Sequence, residues 1–103
     1  MAALDDAALA NELRGLPGWT RDGGALARTF RRRDWRDAIA FMNAVAEEAE
    51  RRDHHPDISI TGYRTVTFRL TSHDSGGITK RDINLARRIE ELAGFLDGAA
   101  PAG

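Results

Sequence analysis

Residues 50–70 read ERRDHHPDISITGYRTVTFRL, and within them the periodicity of the chain changes from helical to extended. Pro56 disfavours helical geometry at His55, so a helix arriving from the N-terminal side must finish by about His54. Beyond the proline, Ile58 and Ile60 alternate with Ser59 and Thr61. After Gly62, Val66, Phe68 and Leu70 alternate with Thr65, Thr67, Arg69 and Thr71. Apolar residues on a period of two mark half-buried strands, and the turn near Gly62 makes the pair an antiparallel hairpin.

Working outward, Asp34 stands as N-cap with Asp37 at the third helical position. Trp35, Ala38, Ile39, Met42, Val45, Ala46 and Ala49 then recur at three and four, which predicts a helix up to the histidines. Upstream of it, WTRDGGALARTF offers two short strands around Asp22-Gly23-Gly24, with Leu26, Arg28 and Phe30 on a period of two. LDDAALANELRGLPGW is a short first helix with Gly15 and Pro17 as stop signals. Downstream, HDSGG is a loop, and Thr79-Lys80-Arg81-Asp82 is a capping-box-like start. The helix it opens buries Ile83, Ala86, Ile89, Leu92, Ala93 and Leu96, and residues 96–103 form a frayed tail. The expected fold is α+β in the order αββαββα, a four-stranded antiparallel sheet with helices on one face, with residues 1–103 as a single domain.

The bulk numbers are those of an ordinary globular chain. Of 103 residues, 42% are hydrophobic and 30% charged, and the formal net charge is -1. No basic field for direct nucleic-acid binding exists, and Arg31-Arg32-Arg33, followed by Asp34 and Asp37, reads as a solvated strand end. Without cysteine there is no disulfide and no thiolate metal site. The N-terminus carries acids where a signal peptide would carry base, no apolar run approaches membrane-spanning length, and the cytoplasm is the default location.

All three histidines fall in or beside the deciding hairpin. With a turn centred near residues 63 and 64, paired residues sum to about 127, which sets His54 and His55 opposite His73, about 5–6 Å apart between backbones. Glu50 and His54 are four apart and share a helix face if the last turn persists. His73 has the parity of Thr65 and Thr67 and points away from the core. Singly, His54 could be a helix C-cap, His55 a solvated turn residue and His73 a polar strand end. Their convergence favours a proton-transfer site, because imidazole populates both protonation states near neutrality. Zinc is the weaker reading, since adjacent ligands diverge on regular backbone and no familiar ligand spacing is present. Phosphate is weaker still, because Gly76-Gly77 lacks a glycine-rich fingerprint.

Glu50, three residues, His54-His55-Pro56, six residues, Tyr63, nine residues, His73, eight residues and Asp82 together resemble the signature of the pterin-4a-carbinolamine dehydratases. GW, LARTF and AVAEEAE before the histidines and GGITKRDINLARRI after them extend the resemblance over about residues 16–92. It implies dehydration of 4a-hydroxytetrahydropterin to quinonoid dihydropterin and water, in pterin cofactor recycling after aromatic amino acid hydroxylases. Neither a metal nor a redox cofactor is implied.

By the same resemblance His54 and His73 are the acid and base candidates and His55 an alternate acid or ring-positioning residue. Glu50 supports His54, Asp82 is a supporting acid that also caps its helix, and Pro56 and Tyr63 border the substrate. From the residues alone, Tyr63 reads first as ordinary strand packing. Relatives commonly carry tryptophan where this chain has Ile58, and a hairpin one residue shorter before the aromatic. The implied partners are a small-molecule pterin and further copies of the chain in a homodimer or homotetramer. The competing class is a non-catalytic binding module, a dimerisation cofactor or assembly chaperone, in which the histidines are dispensable.

Overall fold

The computed structural model describes residues 2–97. Its elements are α1 (Asp6–Leu13), β1 (Thr20–Asp22), β2 (Ala25–Arg31), α2 (Trp35–Arg52), β3 (Asp57–Thr61), β4 (Thr65–Leu70) and α3 (Lys80–Leu96), with a short 3₁₀ turn at His73–Ser75. The order is the expected αββαββα. All strand pairs are antiparallel, and the sheet runs β1-β2-β4-β3, so the second hairpin inserts β4 at the centre and leaves β3 at an edge.

The alternation read in β4 sorts its side chains. Val66, Phe68 and Leu70 are fully buried beneath the helices, while Thr67 on the opposite face meets the Thr29 hydroxyl of β2 at 2.9 Å. Leu26 and Phe30 from β2 join them, and Leu9, Phe41, Val45, Ile83 and Ile89 from the helices close one core. Phe30, Phe41 and Phe68 meet edge to face with centroids 5.0 to 5.9 Å apart. Such contacts add about 0.5–1.5 kcal/mol per pair beyond area burial. Helix α2 therefore docks through Phe41, Val45 and Ala49 rather than through Trp35, which is 54% exposed at its first turn.

Two further expectations are corrected. Arg32 is not a solvated strand end: it is 4% exposed, with its Nε 3.0 Å from Asp37 and its guanidinium 4.6 Å from the Phe41 ring centroid. Burial alone would raise the Asp37 pKa, but the Arg33 amide and the Arg32 guanidinium outweigh it and hold the carboxyl below its ordinary value. Second, Ile58 pairs with Phe68 and Thr61 with Thr65, one residue away from the expected register. The hairpin turn uses Gly62 and Tyr63, both at positive φ, so the strands close on Thr65 and the ladder slips by one. Carried past the strand ends, this register sets His54 level with Ser72 instead of His73. Leu96 still belongs to α3, packed against the core, Asp97 caps that helix, and residues 98–103 of the expected tail lie outside the described residues.

Candidate active site

The site begins with how α2 ends. Asp53 adopts a left-handed conformation (φ 50, ψ 45), its amide bonds to Glu50 O at 3.1 Å, and the His54 amide bonds to Ala49 O at 3.0 Å. These two bonds make a Schellman cap, normally closed by glycine, with aspartate here in the conformation it tolerates better than most residues. The cap reverses the chain before Pro56 can force a break, and it separates the two histidines. His54 turns inward and is 8% exposed, while His55 remains outside.

This geometry corrects the expected pairing of Glu50. Because the helix stops at Arg52, residues 50 and 54 do not share a face, and Glu50 Oε1 instead lies 2.8 Å from His55 Nε2, with both side chains largely exposed. His54 has a different partner: its Nε2 is 2.5 Å from Oδ1 of Asp82, whose side chain is fully buried. Asp82 is the third residue of α3 and closes a complete capping box with Thr79. Its Oδ2 accepts the Thr79 amide and the Ser72 hydroxyl, each at 2.9 Å. A carboxylate at this position sits at the positive end of the helix dipole. The acid expected as a cap is thus both cap and histidine partner.

A second cluster locks the two helices that carry these residues. Glu48 of α2 receives Arg51, Arg52 and, from α3, Arg88 at 2.9 to 3.2 Å. Hydrogen bonds from Arg51 and Arg52, reinforced by Arg88, overcome burial and push the Glu48 pKa down to about 2. Arg81, the residue before Asp82, donates to the carbonyl of Asp53 at 2.9 Å and so ties the α2 cap to the start of α3.

His73 opens the 3₁₀ turn after β4 and is exposed, consistent with a side chain directed off the core. His54, His55 and His73 all line one open cleft of about 390 Å³, together with Thr71, Ser72 and the charged Asp53, Asp74 and Arg81. That volume falls in the range of small-molecule sites. Two of the expected substrate-bordering residues are elsewhere. Tyr63 is in the β3–β4 turn, 58% exposed, at the end of the hairpin opposite the histidines, and it packs neither in the strand nor in the cleft. Pro56 is half-buried at the entry to β3 and is not part of the cleft wall. Among the described residues no three His, Asp or Glu side chains converge closely enough to hold a metal ion.

A family model described as pterin 4 alpha carbinolamine dehydratase matches residues 2–92. The chain belongs to this family. Its members include a Thermomicrobium roseum protein named for pterin-4-alpha-carbinolamine dehydratase, 55% identical over 93 residues, which cover 90% of this chain and 99% of the relative. A Nocardia farcinica protein named for the same activity is 52% identical over 90 residues, covering 87% and 94%. Among solved structures, a Brucella melitensis protein described as a transcriptional coactivator/pterin dehydratase superposes with a TM-score of 0.84 at 34% identity, covering 89% of this chain and 99% of that one. A pterin dehydratase-like protein identified as a RuBisCO assembly factor in the alpha-carboxysome superposes with a TM-score of 0.64 at 26% identity, covering 75% and 90%. The pterin dehydratase fold is therefore shared by proteins whose descriptions differ in function.

Ser72 and Thr79, with Asp53, Thr71, Asp74 and Arg81 of the cleft, are site residues that the histidine spacing did not single out. Only the capping pattern Thr79-x-x-Asp82 signalled that the carboxylate would be buried and oriented.

Proposed function

We propose that the protein is a dehydratase converting 4a-hydroxytetrahydropterin to quinonoid dihydropterin and water, and that it serves pterin cofactor recycling alongside an aromatic amino acid hydroxylase. The observation that carries this reading is the cleft itself, in which a buried, carboxylate-held imidazole and two exposed imidazoles share one wall. In the reaction the C4a–O bond breaks and the hydroxyl leaves as water with a proton from an acid. The N5–H bond breaks, its electron pair forms the C4a=N5 double bond, and a base keeps the proton. One proton is given and one received, with no change of oxidation state.

His54 suits the base. Asp82 as a carboxylate can only accept, so Nε2 of His54 carries the proton facing it and Nδ1 is the basic atom. When Nδ1 takes the N5 proton, the buried carboxylate stabilises the resulting imidazolium. His73 and His55, in contact with water, recharge rapidly and suit the acid, with Glu50 orienting His55. Proton transfers of this kind contribute about 10²- to 10⁴-fold each. The mixed lining of Asp53, Asp74 and Arg81 matches a flat heterocycle with both donors and acceptors on its edge.

Dimerisation or tetramerisation and a cytoplasmic location belong to the same proposal. The β3 edge and the exposed Trp35 and Phe95 are surfaces another copy would cover. The test is a hydroxylase-generated carbinolamine mixed with the protein in a stopped-flow spectrophotometer. Faster decay of the carbinolamine absorbance supports the proposal. No acceleration by folded protein rejects it in favour of the binding-module reading that the description of the assembly-factor relative suggests.

A further inference from the structure

Ser72 is 2% exposed, and its hydroxyl stands between two other buried groups, with Asp82 Oδ2 at 2.9 Å and Thr79 Oγ1 at 2.9 Å. A serine hydroxyl has a single proton, and an ionised carboxylate has none to give. The Ser72 proton therefore points to Asp82, and towards Thr79 the oxygen of Ser72 accepts. Thr79 in turn accepts the Arg81 amide at 3.2 Å and donates its own proton to Ser72. Every donor in this chain runs one way, from the first turn of α3 through Thr79 and Ser72 to Asp82, and hydrogen bonds so aligned polarise one another.

The opposite oxygen of the same carboxylate faces His54 Nε2 at 2.5 Å. Ser72 and the Thr79 amide occupy Oδ2, and among the described residues Oδ1 meets the imidazole. An isolated β-bridge between Ser72 and Gly77 fixes the backbone from which the hydroxyl reaches, with Ser72 N 3.0 Å from Gly77 O. The Ser72 hydroxyl thus acts on the carboxylate that holds His54 without touching the ring.

We propose that Ser72 is a positioning residue for the dehydration: by donating to Asp82 Oδ2 it holds the carboxylate with Oδ1 on His54 Nε2, and so holds the imidazole in place for proton transfer. This rests on the dehydratase reading above. Ser72→Ala removes the donor with little change in volume, and Ser72→Thr keeps it.

The test has two arms on the intact chain. The ¹H resonance of the His54 Nε2–H reads its hydrogen bond to Asp82, and stopped-flow dehydration reads kcat and KM. We expect wild type and Ser72→Thr to share one far-downfield Nε2–H resonance for His54, and Ser72→Ala to shift it upfield as the carboxylate loses its fixed orientation. We expect kcat of Ser72→Ala to fall about tenfold with KM within about twofold, restored in Ser72→Thr. In a His54→Ala background the same substitution should cost no further activity, because its effect passes through that ring. An unchanged His54 Nε2–H resonance in Ser72→Ala, or a loss that adds fully to that of His54→Ala, overturns the proposal. If the wild type proves inactive, the dehydratase reading fails, and the ¹H arm alone decides whether Ser72 positions the His54–Asp82 pair.

Discussion

Replacing Asp82 by asparagine changes one oxygen into an amide nitrogen, and the surrounding donors dictate how the new group must sit. The Thr79 amide and the Ser72 hydroxyl both aim at Oδ2, so the single remaining oxygen stays there and the NH₂ turns towards His54. The imidazole must then accept at Nε2, which transfers its own proton to Nδ1 and leaves no free basic atom on the ring. Three charge-assisted hydrogen bonds become neutral ones, and the negative charge at the N-terminus of α3 is lost. Against this, a fully buried charge no longer needs compensation. The balance is a destabilisation of about 1–3 kcal/mol, or about 5–20 °C in Tm for a domain of this size. Activity should fall much further, by about 10²-fold or more in kcat, because the variant folds with the wrong tautomer. Asp82→Ala, which leaves three buried donors without an acceptor, should cost about 3–5 kcal/mol and show the contrast. Urea unfolding gives the stability and stopped-flow decay of the carbinolamine gives kcat. An Asp82→Asn variant with kcat within threefold of wild type would refute the reasoning, whatever its stability.

His55 and His73 are exposed, so His55→Ala and His73→Ala should each change unfolding free energy by less than about 0.5 kcal/mol while lowering turnover about tenfold or more; full activity in both would leave His54 as the sole proton carrier. Glu48 supplies an acid-dependent part of the stability. Its folded pKa, about 2, lies below the ordinary 4.5, so the contribution is complete above pH 4.5 and is lost as pH falls towards 2. The shift sets a ceiling of about 3 kcal/mol, and the exposure of its three arginines reduces the expectation to about 1–2 kcal/mol. The stability gap between wild type and Glu48→Gln should accordingly narrow in acid, and a gap independent of pH would contradict the assignment. Dehydration should survive exhaustive chelation with EDTA, and activity lost to the chelator and restored by zinc would transfer the chemistry to a metal.

The architecture was legible because each element announces itself locally. The period of two in Thr65–Leu70 buries Val66, Phe68 and Leu70, and Asp34 and Thr79 cap the two long helices as their positions suggested. What escaped depends on backbone states that side-chain pattern does not encode. A left-handed Tyr63 moved the hairpin register by one, and a left-handed Asp53 ended α2 two residues before His54. That early ending explains the exchange of partners, with Glu50 on His55 and Asp82 on His54. The Asp82–His54 bond joins residues 28 apart through the packing of α3 against the end of α2, a contact no local spacing reports. Tyr63 matched a motif position but was carried out of reach by the turn it occupies.

The most direct measurement of the central claim is the single-turnover rate of carbinolamine decay with wild type and with His54→Ala at equal concentration, both shown to be folded by circular dichroism. We expect wild type to accelerate the decay and His54→Ala to lose at least about tenfold of that acceleration. Equal acceleration by the two proteins would contradict the role of the buried histidine, and no acceleration by either would contradict the dehydratase itself.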